Sequence, residues 1–285
     1  MSTTHSGTPT FVFVHGSGSS SFMWTTIQRE LALRGQRSLA VDLPGHGFDA
    51  QFPVPYQAPQ QLDRLAVEPS TLAGVTLEDN AAAVRTAVER VAEHGPVVLV
   101  GSSLGGTSIS VVANQIPELV DRLVYISAWA CTTLSNPVEY MGEPEFADSL
   151  LLELAGMNIG DPMTLGVGRA NYRGADRDQL TRLHTALMED RSETEFLAFL
   201  NTLQPDESLA AMTGDARLHP DSGGRVRRRY VRLTRDRSIP LAMQDRLIAE
   251  ADAATPGNPF TVHTLDTGHA GFVYQPEAVA QLLLE

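Results

Sequence analysis

The segment Val97-Val98-Leu99-Val100-Gly101-Ser102-Ser103-Leu104-Gly105-Gly106 runs four aliphatic residues into two serines framed by glycines. Within it, Gly101-Ser102-Ser103-Leu104-Gly105 fits the pattern G-x-S-x-G, after a run with strand character and before a stretch with helical period. A chain that reverses between strand and helix over so few residues strains the middle residue, and its neighbours must lack bulk. Gly101 and Gly105 meet that need, and Gly106 extends it. Ser103 is therefore expected to present its hydroxyl at a helix N-terminus, where free N–H groups and the macrodipole favour developing negative charge. A phosphate-binding glycine loop is the competing structure. Against it, no Lys follows the glycines, and no G-x-G-x-x-G follows the first strand.

A serine hydroxyl is a weak nucleophile at neutral pH and needs a base. Of the eight histidines, His269 in Asp266-Thr267-Gly268-His269-Ala270-Gly271 follows the last expected strand, where active residues collect in open parallel sheets. His15 and His46 also follow strands but sit in small-residue turns that suit structural or oxyanion-supporting roles. His263 falls within a strand and reads as packing; His5, His94, His184 and His219 read as surface residues. A catalytic imidazole needs a carboxylate to fix its tautomer. Asp236, in Thr234-Arg235-Asp236-Arg237, follows a strand and fills that place, with pairing to Arg235 or Arg237 as the alternative. The oxyanion needs preorganised N–H donors. Leu104, next to the nucleophile, supplies one, and Ser17, after His15-Gly16, supplies the second. Gly16, Ser102 and Trp129 are placed on the substrate-binding side.

Short β-branched runs alternate with helix-period stretches, the pattern of parallel strands joined by crossover helices. Strands are expected at 10–14, 37–41, 97–100, 122–127, 230–233 and 260–265. Helices are expected near 22–33, 77–93, 105–115 and 241–253, with a last one from Pro276. Gly35 is a natural stop for the first helix. Thr76 caps the second, with Asp79 three residues on. Residues 48–76 carry Pro53, Pro55, Pro59 and Pro69, and predict either a lid-like excursion or a surface loop with a short helix. Residues 130–222 change to helical period, with segments near 145–155, 177–190 and 193–203. They read as an inserted helical cap, whose Met141, Met157, Met163 and Leu165, with Trp129 beneath, either line an apolar pocket or simply pack.

The chain has 285 residues, a formal charge of −13 and an apolar content of 42%, ordinary for a globular protein. That charge argues against nucleic-acid or anionic-membrane partners. The basic cluster Arg225, Arg227, Arg228 and Arg229 is short, and reads as a solvated loop leading into a strand. One cysteine, Cys131, excludes an internal disulfide and a multi-thiolate zinc site, and is read as a packing residue. No apolar run approaches the roughly 20 residues of a membrane helix. The opening MSTTHSGTPT lacks the features of a signal peptide, so a cytoplasmic location is expected.

Four pieces, FVFVHGSG, VDLPGHG, VLVGSSLGG and LDTGHAGF, resemble the α/β-hydrolase superfamily in content and order, as does the sequence of Ser103, Asp236 and His269. The resemblance implies an α/β-hydrolase fold: a mostly parallel, doubly wound sheet, with core at 1–129 and 223–285 and a helical cap at 130–222. The layout is most similar to small esterases of the plant methylesterase and hydroxynitrile-lyase branch. It shares their short entry into the first strand, the Ser127-Ala128 pair and the step from Asp236 to Pro240. Ser102 stands where family elbows often carry His or Glu. Ala270 stands where hydroxynitrile lyases carry Lys, which argues against cyanohydrin cleavage. Residues 48–76 are longer than in the plant enzymes, so the pocket mouth is expected to differ.

The activity so implied is hydrolysis of a carboxylic ester or thioester of a small to medium apolar molecule through an acyl-enzyme, with no metal or organic cofactor. The alternative is a lyase, cyclase or cofactor-free oxygenase that uses the same Ser/His pair on an aromatic or secondary-metabolite substrate. A non-catalytic ligand-binding relative is a third reading, disfavoured because all three triad positions are filled. The expected partner is a small-molecule substrate, and a homodimer is left open.

Overall fold

The computed structural model describes residues 7–151, 156–174 and 176–285. His5 and residues 152–155 of the helical segment expected near 145–155 lie outside them. Strand β1 (Thr10–Val14) leads through a 3₁₀ turn into α1 (Thr25–Leu33) and β2 (Arg37–Val41). A short α2 (Leu62–Leu65) interrupts the long connection to α3 (Leu77–Ala92). Then follow β3 (Val97–Ser103), α4 (Gly105–Gln115) and β4 (Val120–Ala128). After an excursion through α5 (Pro137–Tyr140), α6 (Pro162–Leu165), β5 (Val167–Arg169), α7 (Arg177–Met188), α8 (Glu193–Leu200), β6 (Asp206–Ser208) and α9 (Leu209–Met212), the chain returns. It closes with β7 (Arg227–Leu233), α10 (Leu241–Ala254), β8 (Thr261–Leu265) and α11 (Pro276–Leu284).

Six strands form one parallel sheet in the order β2-β1-β3-β4-β7-β8. The aliphatic runs are continuous because both faces are covered, and alternate side chains serve opposite layers. Val12, Leu99, Leu123 and Tyr125 join the layer containing Val84, Val88 and Ile109 of α3 and α4. Phe11, Phe13, Val98, Val100, Val124 and Ile126 join the layer containing Ile27 of α1 and Val279 and Leu283 of α11. Strand order reverses about β1, so the loops after β1 and β3 flank the crevice where such sheets bind ligands.

Local signals read in the sequence reappear. Thr76 and Asp79 form a reciprocal capping box on α3, and Gly35 takes a φ of +72° just after α1. Residues 48–76 form a surface connection containing short turns and α2, with Tyr56, Leu65 and Leu72 buried. Cys131 is fully buried, and burial pushes its thiol pKa up, as befits a packing residue.

Two expectations need correction. Arg227, Arg228 and Arg229 are not a solvated loop: they open β7, with Arg228 and Arg229 buried. Their stems lie in the sheet while their heads reach helix C-termini. Arg228 donates to the Ala251 carbonyl of α10 at 2.8 Å and stacks 4.8 Å over Phe260, and Arg229 donates to the Leu282 carbonyl of α11. The excursion after β4 is also not wholly helical, because β5 and β6 pair antiparallel within it. Three residues per strand are too few to show a period. A buried ion pair ties this strand pair to the earlier connection. Arg169 grips Asp206 at 2.6 and 2.7 Å and donates to the carbonyls of Leu65 and Glu68 at 2.6 and 2.8 Å. Among the described residues no helix is long and apolar enough to cross a membrane.

Helix α4 meets the sheet at glycine. A Cβ on Gly106 would lie 2.6 Å from the Trp129 carbonyl oxygen and 2.9 Å from its nitrogen, backbone atoms that cannot rotate away. Gly106→Ala is expected to lower stability by about 1–3 kcal/mol, read as a fall in the urea midpoint. Gly168→Ala, which meets nothing within 4 Å, should leave that midpoint unchanged or higher.

Candidate active site

Ser103 ends β3 with a φ of +53°, a strained conformation for a residue with a side chain. The elbow closes only because its neighbours are bare. A Cβ on Gly101 would lie 2.8 Å from the Gly105 carbonyl oxygen, and one on Gly105 2.6 Å from those of Val14 and His15. Ser103 is braced from β4, where Trp129 donates its N–H to the Ser103 carbonyl at 3.1 Å. The hydroxyl thus stands at the N-terminus of α4, in the crevice after β1 and β3.

Asp236, in the loop after β7, has a fully buried side chain whose oxygens are saturated. Oδ1 accepts the N–H groups of Ser238 and Ile239 at 2.7 and 2.8 Å. Oδ2 accepts the Ser127 hydroxyl at 2.5 Å and meets His269 Nδ1 at 2.6 Å. A carboxylate at Nδ1 places the proton there and leaves Nε2 free to accept one. Arg235 does not pair with Asp236; it forks onto Asp266 at 2.7 and 2.9 Å. Ser127, with a φ of +36°, belongs to the same β4 terminus that braces Ser103. That terminus therefore links the serine to the Asp236–His269 pair.

The loop after β1 approaches the serine directly: a Cβ on Gly16 would lie 2.8 Å from Ser103 Cβ. Ser17 is exposed between buried Gly16 and Gly18. The N–H groups of Ser17 and Leu104 have no backbone acceptor among the described residues. His15 shapes this loop from within. The Leu43 N–H donates to its Nε2 at 3.1 Å, so Nδ1 carries the proton toward the Gly16 carbonyl at 2.9 Å. Burial, with His46 beside it, pushes the His15 pKa down to about 4. Ser102 is buried. Trp129 is buried between Tyr140 and Phe146, at ring distances of 6.2 and 5.9 Å.

The four cap residues named from sequence do not gather at one place. Met163 is 84% exposed and Leu165 packs with Leu72 and Val167, whereas Met157 is buried in the α1–α11 layer. His94 and His219 are exposed as expected; His184 is instead half-buried, stacked 4.7 Å from Phe196, with Nε2 on the Arg191 carbonyl at 2.9 Å.

One residue that sequence reasoning missed is Asp190, two residues beyond α7. It accepts the Gly268 N–H at 2.8 Å and the Thr267 hydroxyl at 2.7 Å, while Ala270 donates to the Leu187 carbonyl at 2.8 Å. The residues on both sides of His269 are therefore held by the end of α7. Nothing in Glu189-Asp190-Arg191 marks this carboxylate out, and its partner Gly268 lies 78 residues away.

Two measurements check this geometry. In Asp190→Ala, amide exchange at Gly268 should accelerate about tenfold or more. The second concerns His15. Above its ordinary pKa of 6.5 it is neutral in both folded and unfolded chains. As pH falls towards 4, the unfolded chain takes up a proton that the folded imidazole refuses, so stability drops through that window, by about 3 kcal/mol at most. The urea midpoint should fall between pH 6.5 and 4, and His15→Gln, which keeps an acceptor for the Leu43 N–H, should flatten part of that fall.

Comparison with known proteins agrees with the architecture. Polyneuridine aldehyde esterase of Rauvolfia serpentina is 23% identical over 278 residues, covering 96% of this chain and 94% of that enzyme. Methylesterase 18 of Arabidopsis thaliana is 22% identical over 276 residues, covering 96% and 95%. A solved pyrethroid hydrolase structure superposes with a TM-score of 0.74 at 22% identity, covering 98% of this chain and 96% of that one. A family model described as the alpha/beta hydrolase family matches residues 11–282, nearly the whole length, and the chain belongs to that family.

Proposed function

We propose that this protein hydrolyses carboxylic esters, or thioesters, of small to medium apolar molecules through an acyl-enzyme. The observation that carries the reading is the buried Asp236 carboxylate set 2.6 Å from His269 Nδ1 and tied through Ser127 to the same end of β4 that braces a serine on a strained elbow. Esterase and hydrolase names among the relatives support it.

In this reading His269 Nε2 takes the Ser103 proton as the hydroxyl attacks the ester carbonyl. The imidazolium so formed is stabilised by Asp236, whose charge is already desolvated and aimed. The developing oxyanion is received by the N–H groups of Ser17 and Leu104, the latter strengthened by the α4 dipole. His269 then protonates the departing alcohol and activates water to release the acid. Gly16 leaves room for the carbonyl, and Ser102 and Trp129 back the site. Residues 130–222 form a cap over the core of 1–129 and 223–285, and specificity resides there. A reducing, cytoplasmic setting accords with the single buried Cys131.

The test pairs a fluorophosphonate probe with a panel of nitrophenyl esters of increasing acyl length. The probe should label wild type at Ser103. Ser103→Ala should lose about 10⁴-fold or more in kcat/KM while retaining the wild-type melting transition. Equal turnover in the mutant would end the assignment of Ser103 as nucleophile; an unlabelled protein that converts an aromatic substrate without releasing an acid would replace hydrolysis with the lyase, cyclase or oxygenase chemistry.

A further inference from the structure

The loop bearing Ser17 is held on its far side by the excursion after β4. Gly18 donates its N–H to Glu207 Oε2 at 2.9 Å, and its carbonyl accepts the Gln204 N–H at 2.8 Å. Both backbone polar groups of Gly18 are thus taken by residues at or just before β6. The other Glu207 oxygen accepts the Ser208 N–H at 3.1 Å. Gly18 has a φ of +60°, and a Cβ there would lie 3.2 Å from the Gln204 carbonyl oxygen, so the clamp is fitted to glycine. On the other side of Ser17, the bare Gly16 abuts Ser103. With both neighbours held, little freedom is left in the direction of the Ser17 N–H.

Glu207 is buried, which is costly for a carboxylate without partners. Its second neighbour is His46, with Nε2 at 3.5 Å, an ion-pair distance outside hydrogen-bond geometry. His46 in turn lies 4.8 Å from the His15 ring and sets its Nδ1 on the Pro44 carbonyl at 3.0 Å. Burial opposes charge on both members, yet their mutual attraction raises the His46 pKa above the ordinary imidazole value and lowers that of Glu207. A carboxylate suits this place because two N–H groups meet its two oxygens. An amide would turn one acceptor into a donor and leave one N–H facing another.

We propose that Glu207 is the positioning residue of the oxyanion loop: through Gly18, it aims the Ser17 N–H at the oxygen that becomes charged in the transition state, without itself meeting the reacting atoms. This rests on the ester-hydrolase reading above.

The test separates transition-state from ground-state recognition, since a donor aimed at the oxyanion acts on the former. Wild type, Glu207→Gln and Glu207→Ala are compared on a nitrophenyl ester. They are also compared for inhibition by a trifluoromethyl ketone, which forms a tetrahedral adduct with serine, and by the matching methyl ketone, which stays a ground-state carbonyl. Circular dichroism melts report the fold. Glu207→Gln is expected to lose about 10- to 100-fold in kcat/KM, through kcat, with trifluoromethyl ketone affinity falling by the same factor. KM and methyl ketone affinity should stay within about twofold, with Glu207→Ala in the same direction and larger. Should Glu207→Ala melt far below wild type, the comparison rests on Glu207→Gln; should both unfold, Glu207 is a residue of stability and the proposal falls. It also falls if Glu207→Gln matches wild type on ester and trifluoromethyl ketone, or if methyl ketone affinity falls equally. A wild-type protein that neither turns over the ester nor binds the trifluoromethyl ketone overturns the hydrolase reading itself, and this proposal with it.

Discussion

Asp236 is a charge that the fold removes from water, and the arrangement of the site depends on how that charge is repaid. A lone buried carboxylate would cost several kcal/mol and would neutralise instead. Here four donors meet it: two backbone N–H groups of its own loop, a hydroxyl from the end of β4 and an imidazole from the loop after β8. Three separate ends of the sheet are thereby committed to one point. None of the donors is spare, so the ring of His269 is fixed both in rotation and in tautomer.

The same economy governs the elbow. Strain at Ser103 persists because the surrounding backbone leaves no alternative: Gly101, Gly105 and Gly106 bring β1, β3, β4 and α4 into contact at distances that no side chain could share. Packing of this kind supplies orientation without consuming hydrogen bonds. The N–H groups of Ser17 and Leu104 therefore keep their capacity for a ligand. In the proposed hydrolysis an oxyanion there asks for little reorganisation, which is what makes preorganised donors effective.

Much of the central machinery was legible in the sequence because it is local. The elbow fits in five residues, the Thr76–Asp79 capping box in four, and Ser103, Asp236 and His269 each stand at or just after the end of a strand. What escaped notice acts across the chain. Asp190 is separated from Gly268 by 78 residues, and Glu207 from Gly18 by 189. Neither lies in a motif, and an exposed Asp or Glu is the ordinary expectation for such positions. The arginines of β7 misled for a related reason. Charge suggested solvent, whereas long stems let Arg228 and Arg229 sit in a sheet and spend their heads on helix carbonyls. Strands of three residues, β5 and β6, are simply below the length at which alternation can be recognised.

Arg169 carries a consequence for how this architecture can diversify. Its guanidinium is buried between Asp206 on one side and the carbonyls of Leu65 and Glu68 on the other. One partner comes from the chain between β4 and β7, the others from the chain between β2 and α3. The two segments are thus tied into one buried contact despite their separation in sequence. Transplanting either alone into a related scaffold would strand a cation in the dark or leave its acceptors unmet, so changes of length or composition in one are constrained by the other.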